Sequence, residues 1–370
     1  MTETIHGARS WHIGTSDVDA WVTVAGAQLA PVEFRSAGRT AQPYSLAPWL
    51  PDERANDPAL LDALRGDFLC LPFGPHPAGP PHGDAANATW ELRAITPHSL
   101  SVTLDARDVG ARIERKVSLR EGQTAVYQHM RITGLDGAFS YGMHPILDFS
   151  ALEPGAGRIG TSPMRWCSVS PGVFSDPARG EHQILSGGAV FDSLAAVPLA
   201  GGGTLDLSRY PTPPGHEDLV MLVKDPAAGP VSWTAVTMDG FVWVAFSAVA
   251  DFPATVLWIS NGGRSQPPWS GRHTARLGLE DVCSYFAEGL LPSRADHLAS
   301  QGIPTTRAFT KAQPVDLCVV HAVAFTADGF GVVTGIDLGT PGLATLCDDA
   351  GHRVMIAVDW QDVLNDGGSR

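Results

Sequence analysis

Charged residues are scarce in this chain of 370 residues, where they make up 17% of the total. Lysine and arginine are the minority among them, with 25 residues against 39 acidic ones, which gives a formal net charge of −14 at pH 7. A chain with so few positive charges is a poor ligand for polyanions. We therefore expect no nucleic acid, phosphate-rich polymer or anionic membrane surface among its partners.

Long apolar runs and paired cysteines are also missing. No segment approaches the ~18 consecutive apolar residues of a membrane span, and the start, MTETIHGARSWHIG, lacks the basic and apolar regions of a secretory signal. The dispersed cysteines, without a CxxC pair, are Cys70, Cys167, Cys283, Cys318 and Cys347. An odd, scattered set is typical of buried, reduced thiols. These features predict a cytoplasmic protein.

Glycine and proline are abundant, with 40 and 29 residues, which indicates many short elements joined by turns. β-branched and aromatic runs, each bounded by turn-forming residues, predict strands over 99–106, 111–121, 124–133, 219–225, 231–238, 241–249 and 255–260. Strands so close together, without intervening helices, predict an all-β fold of stacked antiparallel sheets.

Two short helices and a simple domain organisation complete the expected fold. The helices are predicted in segments 56–66 and 292–302, where Asp57 and Ser293 are suited to cap them. After Ile303 the chain returns to strand-like sequence. We expect a single domain over 1–370, with 304–370 as closing strands or a small appended β unit.

Three polar residues interrupt apolar sequence, and they are the candidates for chemistry. His82 lies in GPPHGD, in a proline-rich stretch after the apolar run FLCLPF; His144 lies in YGMHPILDF; Glu280 lies in RLGLEDVCSYF. A carboxylate inside an apolar strand needs a partner or a function, because burying it unpaired is costly. One carboxylate and two histidines form a workable set for moving protons near neutral pH.

The order and setting of these motifs resemble the aldose 1-epimerase (galactose mutarotase) family over about residues 21–286. The chain reads LPFG…HGD…W, then RIERKVSLREGQTAVYQHMRITGLDGAFSYGMHPILDF, then LWISNGG…PPW…LGLED. The resemblance implies a galactose mutarotase-like supersandwich, which is a large twisted antiparallel β-sandwich with a few short helices. It also implies interconversion of the α and β anomers of a free sugar, with no cofactor and no metal.

The same resemblance implies a role for each of the three residues. Glu280 is the general base at the anomeric hydroxyl, His144 is the general acid at the ring oxygen, and His82 holds substrate hydroxyls and assists at the ring oxygen. Ring opening needs one proton removed and one delivered on opposite sides of a small molecule. The apolar run before His82 is then expected to end a central strand, and the prolines to stiffen the loop that carries His82.

Three departures from the family pattern bear on the activity. The loop FGPHPAGP has no arginine where members usually carry one that binds the sugar, Asp281 follows Glu280 in place of proline, and the sequence after His144 continues past its proline as ILDF. A non-catalytic carbohydrate-binding or sensing protein of the same fold therefore stays open as an alternative, and so does a sugar-phosphate epimerase. A homodimer also stays open.

Further side chains are candidates for contact with a sugar. Aromatic rings stack on the apolar face of sugars, while arginine can bind a hydroxyl group or a phosphate. The substrate-binding candidates are Trp258, Trp269, Arg264, Arg272, His76 and Asp148. Trp269 stands out, because an aromatic residue in the polar loop NGGRSQPPWSGRH is harder to explain as core.

The three proton-transfer candidates also have structural readings. Glu280 can be a strand residue in a salt bridge with Arg276, which is close in sequence. His144, before a proline, can be a satisfied core histidine, and His82 can cap a turn in a Pro-Gly-rich loop. The family order of the motifs favours the functional reading of each.

A metal site is the least favoured reading of the proline-rich stretch. His76, His82 and Asp84 have a spacing that a metal ion can use, since imidazole and carboxylate are common ligands. No tight pair of ligands and no helical HxxxH pattern accompanies them. The sequence therefore predicts that the protein holds no metal.

Overall fold

The computed structural model describes residues 1–50 and 58–364. In its first half the strands are β1 (Glu3–Ile5), β2 (Ala8–Gly14), β3 (Val18–Thr23), β4 (Leu29–Ser36), β5 (Arg39–Ala41), β6 (Leu69–Cys70), β7 (Glu91–Thr96), β8 (Ser99–Ala106), β9 (Ala111–Ser118), β10 (Ala125–Thr133), β11 (Gly137–Phe139), β12 (Tyr141–Met143), β13 (Ile146–Asp148), β14 (Gly157–Thr161) and β15 (Met164–Val169). The later strands are β16 (Val190–Phe191), β17 (Val197–Pro198), β18 (Thr204–Leu205), β19 (Arg209–Tyr210), β20 (His216–Lys224), β21 (Val231–Met238), β22 (Phe241–Ala248), β23 (Ala254–Asn261), β24 (Arg276–Cys283), β25 (Arg307–Phe309), β26 (Val315–Phe325), β27 (Val333–Asp337), β28 (Leu343–Asp348) and β29 (Arg353–Ala357). The α-helices are α1 (Gly83–Asn87) and α2 (Leu290–Arg294), and 3₁₀ turns span Ala59–Asp62, Pro177–Arg179, Leu194–Ala196, Pro226–Ala228, Ala299–Gln301 and Trp360–Leu364.

Two large antiparallel sheets dominate the described chain. The back sheet has the strand order β19-β14-β21-β22-β26-β10-β9-β8-β7. The front sheet has the order β16-β15-β20-β23-β24-β12-β6, with β13 also paired to β24. Smaller sheets are formed by β1 to β5, by β27 to β29, and by the pairs β11-β25 and β17-β18. The fold is the antiparallel β-sandwich that the sequence predicts.

The strand predictions are confirmed along both sheets. The segments 99–106 and 231–238 coincide with β8 and β21, and the other five predicted runs fall on β9, β10, β20, β22 and β23. These runs are rich in β-branched and aromatic residues that fill a pleated, buried surface. The sequence signal is strongest in β20, β22 and β23, where nearly every residue is buried on both faces of the sheet.

Side-chain alternation divides the front sheet into two faces. On β24, Leu277 and Leu279 belong to the main core, together with residues such as Trp243 on the back sheet. Gly278 and Glu280 therefore point to the other face, because successive side chains in a strand alternate. On that outer face Trp258 of β23 lies in a second apolar cluster, which includes loop residues on either side of the sheet.

A buried ion pair also ties the two sheets together. Lys224 Nζ, on β20, donates to Asp281 Oδ1 at 2.6 Å and to Ser247 Oγ, on β22, at 2.8 Å. Thr255 Oγ1 donates to the same carboxylate oxygen at 2.8 Å. Asp281 therefore faces the back sheet, whereas its neighbour in sequence, Glu280, faces away from it.

The C-terminal part of the chain supplies one strand of the back sheet and a small sheet that packs against it. Strand β26 lies inside that sheet, paired to β10 and β22. Strands β27 to β29 form a small sheet whose residues Ala344, Leu346 and Ile356 pack with the outer side of the back sheet. The single domain over 1–370, with 304–370 as closing strands or a small appended β unit, stays a prediction.

Two helix predictions need correction. The cap Asp57 lies outside the described residues, and the described part of segment 56–66 holds only the 3₁₀ turn Ala59–Asp62. Ser293 does not cap a helix but lies inside α2, where its Oγ donates to Gly289 O at 2.8 Å. Gly302 does end a 3₁₀ turn, in the left-handed conformation. Both described α-helices have five residues, and no helix in this part of the chain has the length and apolarity of a membrane span.

Candidate active site

Glu280 lies on the outer face of β24 with its side chain only 2% exposed. Gly278 leaves the room for its carboxylate, since a Cβ at residue 278 would lie 2.4 Å from Glu280 Oε1. The salt-bridge reading of Glu280 is wrong: Arg276 Nη1 instead contacts Asp148 Oδ1 at 2.7 Å. Among the described residues, Glu280 Oε1 has no hydrogen-bonding partner.

His144 meets Glu280 from the loop that follows β12. Its Nε2 lies 3.1 Å from Glu280 Oε1, a close charge contact without hydrogen-bond alignment. Its ring stacks on Phe68 with the ring centres 4.7 Å apart and meets Trp258 edge-on at 5.6 Å. The backbone N–H of His144 donates to Phe68 O and to Asp67 Oδ1, each at 3.0 Å. Both the ring and the main chain of His144 are thus held in place.

His82 comes from the proline-rich loop and lies against His144, with the ring centres 5.3 Å apart. Its backbone is left-handed, with φ +64°, immediately before α1. A non-glycine residue in this region is strained, and such strain is common at functional sites. Gly74 N–H donates to His82 Nδ1 at 3.3 Å, so a neutral His82 carries its proton on Nε2. The strand before this loop, β6, lies at the edge of the front sheet and is not central as the sequence suggested.

Burial dominates the electrostatics of these three groups. It raises the pKa of Glu280 well above its ordinary value of 4.5 and lowers the pKa of His144 well below 6.5, with His82 adding to the second effect. It also lowers the pKa of His82 to about 4. Both members of the Glu280–His144 pair are therefore driven toward their neutral forms.

A second polar group occupies the same face, on the other side of Trp258. Glu217, at the start of β20, is fully buried and accepts from Trp258 Nε1 at 3.1 Å and from Ser260 Oγ at 3.0 Å. The Ser260 hydroxyl has one proton, which it donates to Glu217 Oε1, so it accepts from His273 Nδ1, 2.7 Å away. Burial raises the pKa of Glu217 to about 7.

Arg264 and Trp269 form the rim of this second group. The Arg264 guanidinium lies 4.7 Å from the ring centre of Trp269 and 5.5 Å from that of Trp258. Its Nε is 3.9 Å from Glu217 Oε2 and 3.8 Å from Glu181 Oε1. The two Trp rings meet edge-on at 6.0 Å. Aromatic rings, carboxylates and a guanidinium together form a surface suited to a polyhydroxylated molecule.

Comparison with solved structures finds the same architecture in other proteins. A galactose mutarotase related enzyme from Lactobacillus acidophilus superposes with a TM-score of 0.54 at 12% identity, covering 86% of this chain and 98% of its own. A galactose mutarotase-like protein from Lactobacillus casei gives 0.52 at 14%, covering 85% and 99%. An Escherichia coli K12 protein provisionally named an aldose 1-epimerase gives 0.57 at 13%, covering 85% and 99%.

The chain has the galactose mutarotase-like fold. At these identities the likeness concerns the fold, and it extends over nearly the full length of the other proteins. No family model and no curated protein matches the sequence. The resemblance seen in the sequence motifs is thus confirmed for the mutarotase-like architecture.

Within the mutarotase-like fold, the remaining candidates do not all lie beside Glu280 and His144. Arg272 reaches backbone oxygens, Pro48 O at 3.4 Å and Pro268 O at 3.2 Å. Asp148 is paired with Arg276, as above. His76 Nε2 lies 3.6 Å from Asp108 Oδ2, which anchors the proline-rich loop to the β8–β9 turn. Contact of these three with a sugar stays a prediction.

The side chains that were considered as metal ligands, His76, His82 and Asp84, do not form one cluster. Asp84 Oδ2 accepts the backbone N–H of Arg107 at 2.9 Å, and Asp84 N–H donates to Asp108 Oδ2 at 2.9 Å. His82 instead faces His144. Within residues 1–50 and 58–364, no group of three or more His, Cys, Asp or Glu side chains is arranged to hold a metal ion.

Sequence reasoning missed Glu217 and His273. The signal for Glu217 was present, because HED directly precedes the apolar run LVMLV, as LE precedes DVC at Glu280. A polar residue entering a buried strand is the same anomaly in both places. His273 had no such signal, since it lies in a polar loop in the sequence, and the fold places it against Trp49, Trp258 and Trp269.

Proposed function

We propose that the chain is an aldose 1-epimerase-like isomerase that interconverts the anomers of a free sugar. The observation that carries this proposal is the contact between Glu280 and His144, a buried carboxylate and a buried imidazole 3.1 Å apart. A buried acid–base pair in a wall of aromatic and polar groups is a functional-site signature. The mutarotase-like fold supports the same reaction class.

The reaction requires two proton transfers and one bond cleavage. Glu280 accepts the proton of the anomeric hydroxyl, and His144 donates a proton to the ring oxygen. The bond between C1 and the ring oxygen breaks while C1 becomes a carbonyl. Closure on the opposite face of that carbonyl reverses both transfers and gives the other anomer, so the protein returns to its starting state.

The shifted pKa values of Glu280 and His144 favour the protonation states that the two side chains have after ring opening. The reactive starting form is a carboxylate with an imidazolium, and the form after opening is a carboxylic acid with a neutral imidazole. Burial raises the pKa of Glu280 and lowers that of His144. The site therefore stabilises the neutral pair relative to the ion pair, so both proton transfers are favourable once the ion pair has formed, while the resting protein holds mostly the neutral pair.

The surrounding groups supply substrate binding. A neutral His82 offers Nε2–H to a substrate hydroxyl beside His144, and Trp258 lines the wall between His144 and Glu217. Arg264, in the β23–β24 loop, supplies the sugar-binding arginine that the loop before His82 lacks. Its side chain is 15% exposed and lies between the carboxylates of Glu217 and Glu181.

The charges around the pocket favour a neutral sugar over a sugar phosphate. The cation of Arg264 is matched by Glu217 and Glu181, within 3.9 Å, and that of Arg276 by Asp148 at 2.7 Å. A phosphate dianion placed beside them would meet these carboxylates as well as the guanidinium groups. Like-charge contacts of this kind oppose binding.

Anomer exchange on a panel of sugars tests the proposal. We expect the wild-type protein to accelerate exchange of at least one free aldose, and to act less well on its 6-phosphate. Exchange is followed by polarimetry or NMR, with binding of the same sugars measured by calorimetry. A protein that binds a free aldose but leaves its exchange at the uncatalysed rate is a binding module, and preference for the phosphate would favour a sugar-phosphate epimerase.

Replacing Gly278 with alanine is expected to lower the rate of anomer exchange by about 10- to 100-fold, since displacements near 1 Å can have this effect. The added Cβ would lie 2.4 Å from Glu280 Oε1 and 3.1 Å from Trp258 Cβ, so the carboxylate must move. Gly335→Ala in β27 is the matched control, because nothing lies within 4 Å of its added Cβ. Equal rates for the two variants would contradict the placement of Glu280.

A further inference from the structure

Asp67 is a fully buried carboxylate that contacts the main chain of His144. Its Oδ1 accepts the His144 N–H at 3.0 Å, which the next residue, Phe68, also accepts through its carbonyl at 3.0 Å. The Phe68 ring stacks on the His144 ring at an angle of 17°. Two consecutive residues therefore hold His144. Asp67 binds its backbone N–H, and Phe68 binds the same N–H and also stacks on the imidazole ring.

Asp67 is itself anchored in the back sheet. Gln128, on β10, donates from Nε2 to Asp67 Oδ2 at 2.6 Å. The side-chain oxygen of Gln128, Oε1, accepts from the guanidinium of Arg115 on β9, which also donates to Ala27 O. Arg115 is only 1% exposed. The contact with His144 thus continues through side chains into two interior strands of the opposite sheet.

A third back-sheet strand faces the same carboxylate. His321 Nδ1, on β26, lies 3.8 Å from Asp67 Oδ2 and 2.8 Å from the hydroxyl of Tyr44. Trp243 Nε1 donates to that hydroxyl at 3.4 Å. The Asp67 carboxylate is therefore held at both oxygens, with Oδ1 on the His144 N–H and Oδ2 on Gln128 and near His321.

We propose that Asp67 is a positioning residue for the proposed anomer exchange, fixing His144 against Glu280 by joining its main chain to the back sheet. The inference depends on the function proposed above. Among the described residues, the Asp67 side chain has no hydrogen bond or ion pair with Glu280 or with His82, so it acts through His144. A histidine that must deliver a proton in a defined direction loses rate when its position varies by about 1 Å.

The test compares three variants of the full chain. Asp67→Ala removes the contact with His144, and Asp67→Asn keeps an oxygen acceptor for the His144 N–H but turns its NH2 toward the NH2 of Gln128. Asp348→Ala is the matched control, since Asp348 is also a buried carboxylate that accepts backbone N–H groups, but those of Gly331 and His352 in the small sheet. We expect Asp67→Ala to lower kcat about 10- to 100-fold with KM little changed, Asp67→Asn to recover part of the rate, and the control to match wild type.

Two outcomes of the rate comparison overturn the proposal. One is a wild-type kcat in Asp67→Ala; the other is an equal loss in Asp348→Ala, which would indicate general loosening of the core. Loss of rate in Asp67→Ala together with recovery in Asp67→Asn supports it. Recovery by the conservative variant separates positioning of His144 from a purely structural role.

A readout independent of activity separates this proposal from the proposed function. In protein labelled with ¹⁵N-histidine, which has 13 histidines, the His144 amide and ring signals are assigned with the His144→Asn variant. We expect Asp67→Ala to shift these signals and speed amide exchange, while Asp348→Ala does not. If Asp67→Ala fails to fold, Gln128→Ala removes the anchor and is expected to speed the same exchange. An unchanged His144 signal overturns positioning, whether or not any sugar is turned over.

Discussion

Replacing Glu280 with glutamine is expected to slow anomer exchange by about 10²- to 10⁴-fold, the usual contribution of a general base. Glutamine keeps the shape of the side chain and its ability to hydrogen-bond, but it cannot accept the anomeric proton. Sugar affinity measured by calorimetry should change little, since the binding groups around Trp258 and Glu217 remain. Exchange is measured by NMR on the aldose that the wild-type protein turns over best.

The Glu280→Gln protein is also expected to be more heat-stable than wild type above about pH 4.5. Because burial raises the pKa of Glu280 above 4.5, the folded state binds its proton more tightly than the unfolded state. Wild-type stability therefore falls as pH rises from the unfolded value through the folded one. Glutamine lacks this titration, so the difference in Tm should be small at low pH and grow as pH increases. A slow variant that is also less stable at every pH would point to misfolding instead.

Replacing His144 with asparagine is expected to give a loss of similar size, about 10²- to 10⁴-fold. Asparagine can still hydrogen-bond the sugar, but it does not carry a proton to the ring oxygen at neutral pH. His129→Asn is the matched control: His129 lies on the back sheet and pairs with Asp316 at 2.7 Å. If the His144 variant exchanges anomers at the wild-type rate, another group is the acid, and His82 becomes the first candidate because its ring adjoins His144.

The strands of the large sheets were predictable from sequence because their buried, β-branched runs are continuous. β21 and β22 show this, since nearly every residue in them is buried and a turn bounds each end. Glu280 and His144 stand out in the sequence for the opposite reason: each is a polar residue in a setting that is otherwise apolar. Such residues are noticeable in a sequence because burying an unpartnered polar group is costly and therefore rare.

The features that sequence could not give depend on contacts between distant segments. β6 was expected in the middle of a sheet, but its two residues pair only with β12 in the described chain, because α1 and the proline-rich loop follow it directly. The pairing of Arg276 with Asp148 rather than Glu280 depends on β13 lying beside β24. His273 and Asp67 look unremarkable in sequence, and only the fold surrounds them with partners.

The central claim is that Glu280 and His144 act as one proton-transferring pair, and a double-variant cycle tests it most directly. Anomer exchange is measured by NMR for wild type, Glu280→Gln, His144→Asn and the protein with both changes. Groups that act as a unit are strongly non-additive, so the account predicts a double variant about as slow as the slower single variant. Losses that multiply, with the double variant slower by the product of the two single effects, would contradict the pair.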